Sequence, residues 1–172
     1  MRLYRVFPHD PSAAQDEPGG ALFIPNGGAG RFDNPKLYKA FYAALEPQCA
    51  IVETLGEIAT WDDRDFMRAI RVDGTWKQIK LALATYEIDA KIVNLARIEQ
   101  LAELGVTSVT EIVTRQRRVT QAVASLAFAH DMFNEHAGLA WWSFYLPEWS
   151  NVMLWNSDAV TLAGAPETLN VK

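Results

Sequence analysis

The chain has 172 residues, 49% of them hydrophobic and six of them Trp, with a net charge of −5 and a pI near 5.2. That length makes one domain, residues 1–172, whose core needs neither metal nor disulfide, since folding at this size buries roughly 70% of the unfolded surface. Mild acidity excludes a general nucleic-acid binder, which carries a basic face, and the sole cysteine, Cys49, excludes an internal disulfide.

The N-terminal M-R-L-Y-R-V-F-P lacks the apolar core of a signal peptide, and no apolar run approaches the roughly 20 residues that span a bilayer. A cytoplasmic chain without membrane contact is the expectation. Leu3–Phe7 alternates and predicts a strand carrying Arg5 outward. His9–Gly20 is a loop by its Asp, Ser, Pro and Gly content. Ala21–Ile24 predicts a second short strand before a Pro25–Gly30 turn. Arg31 leaves that turn as if from a flexible glycine hinge.

Asn34-Pro35 has the form of a helix start, and Leu37, Phe41, Ala44 and Leu45 follow at helical spacing. The same residues around Phe41–Ala43 also fit a buried strand. Pro47 to about Ile58 reads as helix with Ile51, Leu55 and Ile58 on its apolar face. Glu53 points away from that face, so pattern alone makes it a solvated charge like Glu46 and Glu57.

Trp61–Thr75 is charged, with a bend at Asp73-Gly74, and Ile79–Ile88 reads as a strand. Ala96–Leu104 reads as a helix stopped by Gly105. Ser108-Val-Thr-Glu111 has capping-box spacing and opens a helix predicted to run to about Met132. Val119, Val123, Leu126, Ala127 and His130 form its apolar stripe, with His130 at the core edge. The R-Q-R-R of Arg115–Arg118 reads as a solvated face. Gly138–Leu146 reads as an aromatic strand with Trp141, Ser143 and Tyr145 on one side and Trp142 and Phe144 on the other. Asn151–Trp155 is a further strand, and the tail from Asn156 has no pattern.

One cysteine and the spacing of His130 and His136 give no zinc signature, so no metal is expected. There is no G-x-S-x-G elbow, and Gly27–Gly30 is neither a P-loop nor a dinucleotide fingerprint. What remains is a combination: an arginine from a glycine turn, tyrosines at 38 and 42, and the carboxylate of Glu53. Together they can supply a phosphate clamp, a stacking platform and an anion for a cationic centre. That set suits a nucleotide bearing positive charge.

Four motifs carry a resemblance: L-Y-R-V-F at 3–7, G-G-A-G-R-F-D-N-P at 27–35, F-Y-A-A-L-E-P-Q-C-A-I-V-E at 41–53 and G-L-A-W-W-S-F-Y-L-P-E-W at 138–149. In this order and spacing the chain resembles the RES-domain family, the toxins of bacterial RES–Xre toxin–antitoxin pairs. Phe32 stands where many members carry Trp, and an extension seen in some relatives beyond the position of Trp155 is short here. The resemblance implies an α+β single domain similar to the ADP-ribosyltransferase fold, with a split, twisted mixed/antiparallel β-core flanked by helices. It implies a strand, not a helix, at Phe41–Ala43.

It also implies consumption of NAD+ by hydrolysis or phosphorolysis, with ADP-ribosyl transfer to a protein as the alternative and a non-catalytic NAD- or antitoxin-binding module as a further one. The family's arginine, glutamate and serine fall on Arg31, Glu53 and Ser143, its N-terminal arginine on Arg5 and its tyrosine on Tyr42. Expected roles are Arg31 on the pyrophosphate, Tyr42 stacked on nicotinamide, Glu53 as the anion beside the reacting ribose, Ser143 on ribose or phosphate, and Arg5 as a second phosphate or ribose contact. Trp141 and Tyr145 are expected to wall the cleft. NAD+ is substrate, no further cofactor is implied, and the implied partner is an Xre-type antitoxin that blocks the active site; direct nucleic-acid binding is not expected.

Overall fold

The fold is read from a computed structural model, which describes residues 1–56, 60–114, 116–130 and 135–170. In chain order the elements are β1 (Arg2–Pro8), β2 (Phe41–Ala44), α1 (Pro47–Leu55), β3 (Met67–Val72), β4 (Thr75–Ile88), β5 (Lys91–Asn94), α2 (Ile98–Glu103), α3 (Thr110–Val113), α4 (Arg117–His130), β6 (His136–Trp142), β7 (Ser150–Leu154), β8 (Val160–Leu162) and β9 (Glu167–Thr168).

The strands form one mixed sheet in the order β3-β4-β1-β2-β7-β6-β5, with β8 and β9 also pairing β4; β5–β6 is the parallel ladder. β1 pairs with β4 along its whole length, Arg2 opposite Glu87 through Pro8 opposite Leu81. Its other edge meets β2 only at Tyr4 opposite Ala44. The sheet therefore splits between β1 and β2, and a cleft opens there.

The local sequence explains most of the sheet. Asp73 and Gly74 both have positive φ, 49° and 79°, which suits the tight two-residue turn that joins β3 to β4 with matching twist. The first half of β4 pairs with β3 and stays largely exposed, while its second half, from Leu81, is buried against β1. Three apolar clusters fill the body. Leu95, Leu101, Ile112, Val123, Leu139 and Met153 pack the helices α2–α4 against the sheet. Leu3, Phe41, Tyr86 and Leu154 fill the opposite face, and Val6, Cys49, Leu55 and Phe66 lie under α1.

Phe41–Ala44 is a strand, as the resemblance implied and the helical spacing did not. Asn34 and Pro35 start one turn, with Leu37 and Tyr38 N–H bonded to the Asn34 carbonyl. Beyond it the chain pairs with Leu154–Asn151 of β7, sinking Phe41 completely. So short a helix is weak in isolation, and the ladder with its buried ring wins.

Ala21–Ile24 is not a strand. The Ala21 carbonyl is taken by the Tyr86 hydroxyl at 2.6 Å and by Arg5, and the Phe23 carbonyl by Arg5 at 2.9 Å, so side chains occupy what a ladder would need. The capping-box helix also fails to extend. Ser108 Oγ accepts the Thr110 N–H, α3 lasts one turn, and Thr114 turns extended before α4 begins. On α4 the buried stripe is Thr120, Val123, Ala124 and Ala127, leaving Leu126 and His130 exposed. His130 is thus a surface residue, not a core-edge one. Arg117 and Arg118 are exposed; Arg115, like Met132 at the predicted end of the long helix, lies outside the described residues. α1 ends at Leu55 because Gly56 adopts a φ of +80°, and the expected positions of Glu57 and Ile58 also fall outside them. No helix among the described residues is long and apolar enough to cross a membrane.

Candidate active site

Arg31 sits on a turn that is anchored, where a flexible hinge was expected. The buried carboxylate of Asp33 accepts the N–H groups of Gly28 and Gly30 on Oδ2, at 2.6 and 2.7 Å, and the Tyr42 hydroxyl on Oδ1 at 2.8 Å. Tyr42 Oη in turn accepts the Phe32 N–H at 3.0 Å. The packing leaves no space for a side chain at Gly30: a Cβ there would lie 2.4 Å from Asp33 Oδ1 and 2.6 Å from Tyr42 Oη. From α4, Gln121 Nε2 donates to the Gly30 carbonyl at 3.0 Å and the Thr120 hydroxyl donates to the Arg31 carbonyl.

This cradle aims Arg31 into a cleft of about 380 Å³, of the size that small ligands occupy. β1 contributes Tyr4 and Arg5 to its lining, β2 contributes Tyr42, α1 contributes Glu53, and Trp141 and Asn151 come from β6 and β7. The Arg31 guanidinium is partly buried. Burial lowers its pKa from the ordinary value, and the charge of Glu53 opposes that shift. Its Nε is buried with no hydrogen-bond partner among the described residues. A buried charged donor left unpaired costs free energy until an anion meets it.

Glu53 does point away from the buried face of α1, and the cleft is what lies on that side. Its Oε1 accepts the Ser143 hydroxyl at 2.6 Å and Asn151 Nδ2 at 2.8 Å. Both donors converge on one oxygen of a carboxylate that lines the cleft. Ser143 itself is only 1% exposed. Its hydroxyl orients the carboxylate from behind and is not among the cleft-lining groups, contrary to a direct ribose or phosphate contact.

Tyr42 presents its ring to the cleft, edge-to-face with Trp141 at 6.3 Å. Its hydroxyl is committed to the loop, and burial pushes its pKa up. Arg5 also borders the cleft, but two of its donors hold the carbonyls of Ala21 and Phe23, and its guanidinium lies 4.5 Å from the Phe41 ring centre. The second aromatic wall is Phe144, not Tyr145. β6 ends at Trp142, so strand alternation no longer governs the residues that follow.

The structure thus brings Arg5, Arg31, Tyr42 and Glu53 to one hollow, with Ser143 immediately behind Glu53. Two residues of the site went unread in the sequence. Asp33 had a signal, since a carboxylate just after a glycine turn commonly caps its N–H groups. Asn151 had none; only its register, opposite Ala44 on one side and Trp141 on the other, puts it beside Glu53.

The RES domain family model matches residues 2–170. No curated protein matches this sequence. Among solved structures, a chain of the crystal structure of the M. tuberculosis MbcT–MbcA toxin–antitoxin complex aligns with a TM-score of 0.61 and 16% identity, over 98% of this chain and 84% of that one. The split sheet is the fold of that neighbour, and with the family model spanning nearly every residue this chain belongs to the RES-domain family.

Proposed function

We propose that the chain is the toxin of a toxin–antitoxin pair, and that its cleft binds NAD+ and cleaves the nicotinamide–ribose bond. One observation carries this: Arg31, Tyr42 and Glu53 line the same cleft, with Glu53 fixed by two donors on a single oxygen. Family membership and the toxin–antitoxin neighbour support the biological role. The partner is an antitoxin that occupies the cleft.

In this reading Arg31 forks onto the pyrophosphate with parallel hydrogen bonds, a geometry lysine does not reproduce. The Tyr42 ring faces the cationic pyridinium, whose charge its π-face attracts. As the C–N bond breaks, its electron pair stays with the ring nitrogen and nicotinamide leaves neutral, so no general acid is required. Positive charge moves to the ribose, which becomes oxocarbenium-like as in glycoside cleavage. Glu53 Oε2 is the anion beside that charge. A carboxylate about 4 Å from a unit charge gains roughly 4 kcal/mol at an effective dielectric of about 20, on the order of a thousandfold in rate. Water or phosphate then attacks the sugar and loses its proton to solvent.

Glu53→Gln keeps the shape and both oxygen-side contacts in part, but removes the charge. It is expected to fold normally and to lose roughly a hundredfold or more of NAD+ turnover. A Glu53→Gln protein that consumes NAD+ at the wild-type rate would sink the assignment. Mass spectra of the products with and without phosphate identify the acceptor, and labelled NAD+ in lysate reveals any transfer to protein.

A further inference from the structure

Behind the cleft carboxylate a chain of contacts runs from Asn151 to Cys49. Asn151 is 8% exposed and borders the cleft. Its Nδ2 donates to Glu53 Oε1 at 2.8 Å, while its Oδ1 faces the fully buried Cys49 thiol at 3.7 Å. That thiol also lies beside the Ser143 hydroxyl, the second donor to the same oxygen. Burial and the charge of Glu53 push the thiol up to about 12, so it stays S–H, a donor, at neutral pH. An amide has two ends, and only one orientation gives Glu53 a donor. The thiol reinforces that orientation, because its S–H donates to Oδ1 and would oppose a donor if Nδ2 faced it.

We infer that Asn151 is a positioning residue for Glu53, held in its donating orientation by Cys49, and that this pair keeps the Glu53 carboxylate turned to the substrate through Oε2. This rests on the reading of Glu53 as the anion at the reacting ribose. Other ionisable groups surround it: Arg31 across the cleft, Arg5 and Tyr4 from β1, Tyr42 from β2, and Cys49 and Glu46 from its own helix and its N-terminal boundary. None of these donates a hydrogen bond to the carboxylate oxygen that Asn151 and Ser143 hold.

Asn151→Asp tests this by isosteric reversal. It puts an oxygen where Nδ2 stood, and two carboxylates at hydrogen-bond distance cannot both ionise easily, so the pair retains a proton. Carbon-13-labelled glutamate lets the Glu53 carboxyl be followed by NMR, its signal assigned by its loss in Glu53→Gln. In Asn151→Asp that titration is expected to move up by at least one pH unit. The acid limb of the kcat–pH profile for NAD+ is expected to move up by the same interval, with recovery at higher pH and little change in KM.

Cys49→Ala is expected to lower kcat severalfold without moving the acid limb, and Cys49→Ser, which keeps a donor at that point, to restore it. An unmoved Glu53 titration in Asn151→Asp overturns the inference whatever the chain does to NAD+. Should Asn151→Asp not fold, a Cys49→Ala kcat equal to wild type overturns it. A wild-type protein that leaves NAD+ intact overturns the functional reading instead, an outcome the NMR titration keeps separate.

Discussion

The Tyr42 hydroxyl donates to Asp33 Oδ1 at 2.8 Å and accepts the Phe32 N–H at 3.0 Å, so one phenol ties a β-strand to the loop that carries Arg31. This gives Tyr42 two separable roles: the ring faces the cleft and the hydroxyl sets the loop. Tyr42→Phe divides them. It leaves a buried carboxylate oxygen and a backbone N–H without this partner, at a cost of about 1–3 kcal/mol. The expected result is a melting temperature lower by several degrees and a raised KM for NAD+, with kcat changed much less because the ring remains. Thermal unfolding and initial-rate kinetics on the same preparation check it. Unchanged melting and unchanged KM together would show that the hydroxyl anchors nothing.

Three further buried groups share the electrostatics of that phenol. Tyr38 and Tyr86 are pushed from 10 up to about 12 and the Cys49 thiol from 9 up to about 12, chiefly by burial. Each is neutral in the fold and ionises more easily in the unfolded chain, so each contribution is fully present below its unfolded pKa. It is lost as pH rises through the folded value. Stability is therefore expected to hold from pH 7 to about 9 and to fall steeply between 9 and 12, by on the order of a few kcal/mol. Urea midpoints at pH 8 and pH 11 test this, and Tyr86→Phe is expected to flatten part of the alkaline fall. A midpoint independent of pH over that range contradicts it.

The sequence exposed some of this architecture and hid the rest for physical reasons. β1, the core of β4, β6 and β7 were legible because apolar alternation and aromatic content are local properties. β2 was not legible from periodicity. Leu37, Phe41, Ala44 and Leu45 fit a helix as well as a strand, and the ladder to β7 decides between them. β3, β5, β8 and β9 are short or mostly exposed, so they carry little hydrophobic pattern and exist by pairing with a neighbour. The site divides in the same way. Arg31 and Glu53 became legible through motif order, whereas Asn151 reaches Glu53 only through strand register. Ser143 was found, but not its direction, because the strand was read past Trp142, where it ends.

Arg31 brings a planar guanidinium to the lining of the cleft. Its backbone is fixed by the Thr120 hydroxyl and the Asp33-capped turn, while its guanidinium faces the cleft with Nε unpaired among the described residues. Arg31→Lys keeps the positive charge but removes the planar fork, and a flexible ammonium meets a pyrophosphate as a point charge. If Arg31 acts on the pyrophosphate, the lost interaction is made equally in ground and transition states. The change then appears in KM, by about tenfold for roughly 1.4 kcal/mol, with kcat within a few-fold of wild type. Binding of NAD+ to the Glu53→Gln background, measured by calorimetry with and without Arg31→Lys, reads the same difference without turnover. A collapse of kcat at unchanged KM would instead place Arg31 at the reacting bond and move the pyrophosphate elsewhere in the cleft.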